Sequence, residues 1–136
     1  MTLCLKIGEV ATRSGLPVKT IRYYADLQLL DSAMGRSPNG YRIFTADVFN
    51  RLAFIKRAQS LGLSLQEIGE ILGIHDQGTL PCGVVKQRLI EKVNHINSQI
   101  SELVTLKAEL QGILSGWQDF PTPDSSRPTI CPNLQP

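Results

Sequence analysis

The sequence predicts a mainly α-helical protein in which short helices and one β-hairpin come first and a single long helix follows. Three observations carry that expectation. Apolar residues between Ile7 and Leu72 recur at helical spacing in short blocks broken by Gly15, Pro17 and Gly62. A turn cluster followed by an alternating run interrupts these blocks at residues 35–44. From Gly83 to Gly116 the apolar pattern is long and unbroken.

In order along the chain, Leu3 to Lys6 reads as a short extended start running into a helix with Ile7, Val10 and Ala11 on one face. Ser14 and Gly15 stop that helix. Pro17 lacks a backbone donor and already holds the helical φ, so it suits the first turn of a second helix. There Ile21, Tyr24 and Leu27 are expected inward, while Lys19, Thr20, Arg22 and Tyr23 stay available on other faces. Two short helices joined by a Gly-containing turn make a helix-turn-helix candidate. In residues 30–44, LDSAMGRSPNGYRIF, the cluster Gly35, Ser37, Pro38, Asn39 and Gly40 forms a turn, and Tyr41, Arg42, Ile43 and Phe44 alternate as a strand. That hairpin would be a wing, giving a winged helix-turn-helix. Thr45 is expected to cap the next helix, with Asp47 opposing the positive end of its dipole. Val48, Leu52, Ile55 and Leu61 supply its buried stripe and Gly62 its end. Ser64 and Glu67 then make a capping box for a short helix carrying Ile68, Ile71 and Leu72.

In the long final helix, Leu89, Val93, Ile96, Ile100, Leu103, Leu110 and Leu114 occupy a and d heptad seats, with Lys107 in the one they skip. At about 1.5 Å per residue the helix extends roughly 50 Å, more than a small domain can cover. The seam therefore calls for a second copy of the chain, with packing back on its own domain as the alternative. Heptads alone do not choose between parallel and antiparallel pairing. Beyond it, Trp117 to Pro136 is rich in Pro and Ser and is expected to be a loop. The organisation read from sequence is residues 1–76 as the winged helix-turn-helix, 77–116 as hinge and pairing helix, and 117–136 as a C-terminal loop able to bind an effector.

The net charge of +2 conceals an uneven distribution. Residues 1–66 hold nine Lys and Arg against four acids, a net +5, and the remainder is −3. A basic front half suits a polyanion, because each neutralised phosphate releases counterions. No run approaches the roughly 20 apolar residues of a membrane span, and Met1 to Lys6 is too short for a signal peptide, so the expected location is the cytoplasm. Catalysis is disfavoured: there is no Gly-rich phosphate loop and no Ser-His-Asp set, and the two histidines, His75 and His95, fall near a helix end and on the pairing helix. A coiled-coil interaction module that binds no DNA explains residues 83–116 alone and leaves the basic helix and wing unused.

At this point the chain resembles the MerR-type bacterial transcription regulators from about Lys6 to Gly116. The resemblance is carried by IGEVA, TIRYY, NGYR and LGLSLQEI in this order and spacing, together with the long final helix. It implies a homodimer joined through an antiparallel coiled coil, with the second helix in the major groove of promoter DNA, the wing on the flanking backbone, and RNA polymerase as a partner. On that footing Arg22 offers a planar fork to a guanine edge or phosphate, and Lys19 and Tyr23 reach phosphate oxygens. Arg36, Asn39, Tyr41 and Arg42 are expected to hold the backbone from the wing, supported by Arg51 and Lys56. Tyr24, on the side of Ile21, is expected in the core.

In the metal-responding branch of that family one cysteine stands ahead of the pairing helix and two follow it, each site being shared between subunits. Cys82 matches the first, and Cys131, followed by Pro132, the last; Trp117 stands near where the middle one would be. Two thiolates suit a soft ion such as mercury(II) or copper(I) better than zinc, with Asp119 and Asp124 as the tail's available oxygen donors. The same two sulfurs also suit a thiol redox sensor, and simple packing of both is the third possibility. Cys4, between Leu3 and Leu5, is expected to be buried.

Overall fold

The structure, a computed structural model, describes residues 5–123 and 126–135. The expected extended start at Leu3 and Cys4, the burial of Cys4 and the oxygen donor Asp124 lie outside the described residues. The elements are β1 (Leu5–Lys6), α1 (Ile7–Ser14), α2 (Val18–Asp26), a 3-10 turn (Asp31–Ala33), β2 (Met34–Arg36), β3 (Arg42–Phe44), α3 (Asp47–Ser60), α4 (Leu65–Asp76) and α5 (Cys82–Ser115). They form two compact units, Met1–Ile90 and Glu91–Pro136, divided within α5.

In the first unit, Val10, Ile21, Phe44, Val48, Ile55 and Ile68 are fully buried and join α1 to α4 and the sheet into one core. The sheet order is β1-β3-β2, all antiparallel, with Phe44 facing both Leu5 and Met34 in register. The hairpin expected from Gly35 to Phe44 is present, and β1 adds a third strand along its inner edge. Gly15 ends α1 at φ +74°, a left-handed conformation that a side chain resists, and its N–H donates to the Ala11 carbonyl at 3.0 Å. Pro17 stands one position earlier than expected, as the residue preceding α2, and its carbonyl accepts the N–H groups of Thr20 and Ile21. The capping box on α4 is complete: Ser64 Oγ accepts the Glu67 N–H at 3.1 Å, and Glu67 Oε1 accepts the Ser64 N–H at 3.0 Å.

Three expectations need correction. Leu27 is 43% exposed, because α2 ends at Asp26 and the buried face runs through Ile21, Tyr24 and Ala25, leaving Leu27 off that stripe. Leu61 is likewise exposed, and after the turn at Gly62 it is Leu63 that enters the core. Thr45 does not cap α3 with its side chain; Ala46 precedes the helix, and Thr45 Oγ1 is buried without a hydrogen-bond partner.

The end of α2 also carries stored strain. Gln28 lies at φ +64°, its N–H donating to the Ala25 carbonyl while Leu29 donates to Tyr24, the paired bonds of a Schellman termination. A left-handed residue with a Cβ costs roughly 1–2 kcal/mol, part of which a glycine would lose again to unfolded-state entropy. Gln28→Gly is therefore expected to raise stability by about 0.5–1 kcal/mol. Urea denaturation monitored by circular dichroism checks this, and a loss of stability would contradict it.

Candidate nucleic-acid interface and thiol positions

The short helix α2 divides cleanly. Ile21, Tyr24 and Ala25 are buried, and Lys19, Arg22 and Tyr23 are exposed. Tyr24 is in the core as expected; its hydroxyl donates to Gln59 Oε1 at 2.7 Å, and burial, then the neighbouring Tyr23, push its phenol above the usual tyrosine range. What α2 leaves outward is thus a cation, a guanidinium fork and a phenol on one short helix, donors suited to phosphate oxygens and base edges.

The wing keeps its shape through its own bonds. Ser37 donates its N–H to the Tyr41 carbonyl at 2.8 Å, Ser37 Oγ accepts the Tyr41 N–H, and Gly40, at φ +84°, donates to Ser37. Arg36 Nη1 donates to the Gly40 carbonyl at 2.9 Å, so this exposed guanidinium also braces the turn. Asn39 and Tyr41 stand outward, Tyr41 at 71% exposure. Lys56 is exposed on α3.

Two expected backbone contacts are placed differently. Arg42 is only partly exposed and its Nη2 donates to Asp26 Oδ1, tying β3 of the wing to the last residue of α2. The pair holds the wing against α2. Arg51 is 6% exposed. Its Nε and Nη2 donate to the Leu29 carbonyl at 2.9 and 2.8 Å, and Nη1 and Nη2 donate to Asp76 at 2.6 and 3.2 Å. Four of its five guanidinium N–H groups are thus engaged within the protein, so Arg51 is a structural bracket. Its pair with Asp76, whose side chain is 34% exposed, falls between a surface pair at about 0–1 kcal/mol and the roughly 3–5 kcal/mol of breaking a buried one. Arg57, exposed beside Lys56, and Arg13, exposed with its guanidinium 4.6 Å over the Phe49 ring, are further cations of the first unit.

Cys82 is the first residue of α5 and is exposed. The helix start is anchored to α4: Arg88 Nη2 donates to Glu70 Oε2 at 2.7 Å, with Glu67 Oε2 4.0 Å from its Nε. In the second unit, Val93, Ile96, Ile100, Leu103, Leu110 and Leu114 are each more than half exposed along α5. Leu89, in the first unit, is half-buried. The tail is more ordered than a bare loop. Gln118 and Asn133 exchange two hydrogen bonds at 2.9 Å, Gln118 N–H to Asn133 Oδ1 and Asn133 Nδ2 to the Gln118 carbonyl. Next to that clamp, Cys131 begins a turn whose carbonyl accepts from Leu134 and Gln135, while Gln135 Oε1 accepts the N–H groups of Ile130 and Cys131. Cys131 is thereby held half-buried. Among the described residues no three of His, Cys, Asp and Glu come together as a metal-binding group. Among the described residues the cysteines are one at the start of α5 and one in the tail.

Residues 5–73 match the MerR HTH family regulatory protein family, and residues 49–113 match the family described as MerR, DNA binding. The chain belongs to the MerR family. It is 38% identical over 131 residues to the uncharacterized HTH-type transcriptional regulator PA4778 of Pseudomonas aeruginosa, covering 96% of this chain and 94% of that one. It is 35% identical over 108 residues to the mercuric resistance operon regulatory protein of Bacillus cereus, covering 79% and 81%. Among solved structures it resembles the transcription regulator PbrR691 of Ralstonia metallidurans in complex with lead(II), at 27% identity and a TM-score of 0.72 over 88% of this chain and 92% of that one.

As a member of the family the chain is a DNA-binding transcriptional regulator. Its relatives are regulators rather than enzymes. No helix among the described residues is long and apolar enough to cross a membrane. Arg22→Ala is expected to abolish specific footprinting while leaving subunit association intact. Lys56→Ala should weaken binding evenly across sequences and lower the salt slope by about one. Footprinting and a salt series check both, and unchanged operator binding by the Arg22 variant would remove Arg22 from the interface.

Proposed function

We propose that this MerR-family regulator acts as a homodimer on double-stranded promoter DNA together with RNA polymerase, and that it answers to a soft metal ion through Cys82 and Cys131. In this reading residues 1–76 read the operator, 77–116 form hinge and pairing helix, and 117–136 carry the effector loop. Lys19, Arg22 and Tyr23 of α2 and Arg36, Asn39 and Tyr41 of the wing meet the duplex, with Lys56 in support. Leu89, Val93, Ile96, Ile100, Leu103, Leu110 and Leu114 form the pairing seam.

The observation that carries the effector assignment is the position of the two thiols. Cys82 stands exposed where the reading unit hands over to α5, and Cys131 is held in a turn beside the Gln118–Asn133 clamp. A donor set of two thiolates, with no group of three His, Cys, Asp or Glu gathered among the described residues, suits mercury(II) or copper(I), which accept two thiolates, better than the four-ligand shell of zinc. That a relative is a mercuric resistance regulator and that PbrR691 was solved with lead(II) agree with soft-metal chemistry in the family. The exposure of Cys82 favours a second reading, in which the same thiols are oxidised and the protein is a redox regulator.

Metal stoichiometry in a non-thiol reductant separates these readings. Mercury(II) uptake is expected to be tight in the parent protein and lost in both Cys82→Ser and Cys131→Ser. Uptake indifferent to both substitutions would contradict the metal assignment, and an oxidant-driven change in operator binding that needs both cysteines would then favour the redox one.

A further inference from the structure

We infer that Arg51 and Asp76 link the operator-reading helix to the junction between α4 and α5, so that neither end of the first unit shifts without the other. The inference deepens the proposed regulation at Cys82 and rests on that reading for its use, though its test needs no effector.

The argument starts from what Arg51 holds. A guanidinium is a rigid planar fork that cannot follow two acceptors moving in different directions. One acceptor is the carbonyl of Leu29, which follows the left-handed Gln28 at the termination of α2. The other is the carboxylate of Asp76, the last residue of α4. Residues 77–81 alone separate Asp76 from Cys82 at the head of α5. Arg51 itself sits on α3 with Val48, Leu52 and Ile55, all buried, so the fork is mounted on a helix packed into the core.

Displacing the end of α2 pulls on the Leu29 carbonyl; displacing the end of α4 pulls on Asp76. Either movement strips a charge-assisted bond from a donor with almost no access to water, which is costly. The last residue of α2, Asp26, is also the partner of Arg42 in the wing, so the same chain of bonds continues from the junction through α2 to β3. A purely stabilising bracket would hold the fold together without making the junction respond to DNA. A link makes the response reciprocal, because coupling between two sites has the same magnitude from either side.

The test uses the full-length protein, a duplex that the protein itself selects from a random pool, and hydrogen exchange of residues 77–81. In the parent protein, saturating duplex is expected to slow exchange there by about threefold or more. Asp76→Asn, at a partly exposed site, should bind the duplex within about fivefold of the parent and lose most of that response, the two sites having been uncoupled. Arg51→Lys keeps the charge but not the fork, so it should behave as Asp76→Asn does and fail to rescue. The inference is overturned if duplex leaves exchange of 77–81 unchanged in the parent, or if Asp76→Asn keeps the full response, as it would were the DNA simply covering the linker. No metal or oxidant is added, so loss of the thiol assignment and loss of this link are read from different experiments.

Discussion

The constraint on which the molecule turns is the apolar stripe of α5. Six large side chains, Val93, Ile96, Ile100, Leu103, Leu110 and Leu114, stand more than half exposed on a 34-residue helix. Fully burying one such side chain contributes about 1.5–3 kcal/mol, and long helices in proteins draw most of their stability from packing an amphipathic face. The stripe repeats at heptad spacing, which is the geometry of knobs entering the holes of a second helix. In the proposed dimer a second copy supplies that cover, and two reading units are thereby joined into one operator-binding body.

Within the first unit, charge is divided between reading and holding. Lys19, Arg22 and Tyr23 are free to face a duplex because Ile21, Tyr24 and Ala25 take the other side of α2 into the core. Arg42 and Arg51 are paired within the protein, Arg42 at its surface tying the wing to α2 and Arg51 in its interior bracketing α2 to α4. A count of cations treats all of them alike. The structure separates the exposed cations from those that hold α2, the wing and α4 together.

What was legible in the sequence was local. Gly15, Pro17, the NGYR turn and the Ser64–Glu67 box each act within a few residues, so pattern and turn chemistry reveal them. The pairing of β1 with β3, the Arg42–Asp26 pair and the Gln118–Asn133 clamp join residues far apart in the chain, and no local rule points to them. Arg51 is the instructive miss. It lies three residues after Val48 and four before Ile55, on the very stripe assigned to the core, whereas the family resemblance implies a supporting contact to the DNA backbone. Leu27 is the opposite case: its spacing from Ile21 and Tyr24 points inward, but the helix ends at Asp26 before that spacing reaches it. In the tail, the prolines gave away a loop, while the amide clamp that shapes it around Cys131 depends on side chains meeting across that loop.

The most direct measurement is the oligomeric state and operator preference of the chain and of Leu103→Glu, by sedimentation at micromolar concentration with and without duplex. Pairing through α5 requires a two-subunit species that prefers its operator, and a Leu103→Glu chain that is monomeric, retains a folded first unit and has lost that preference. A parent protein that is monomeric and still selects its operator would contradict the account.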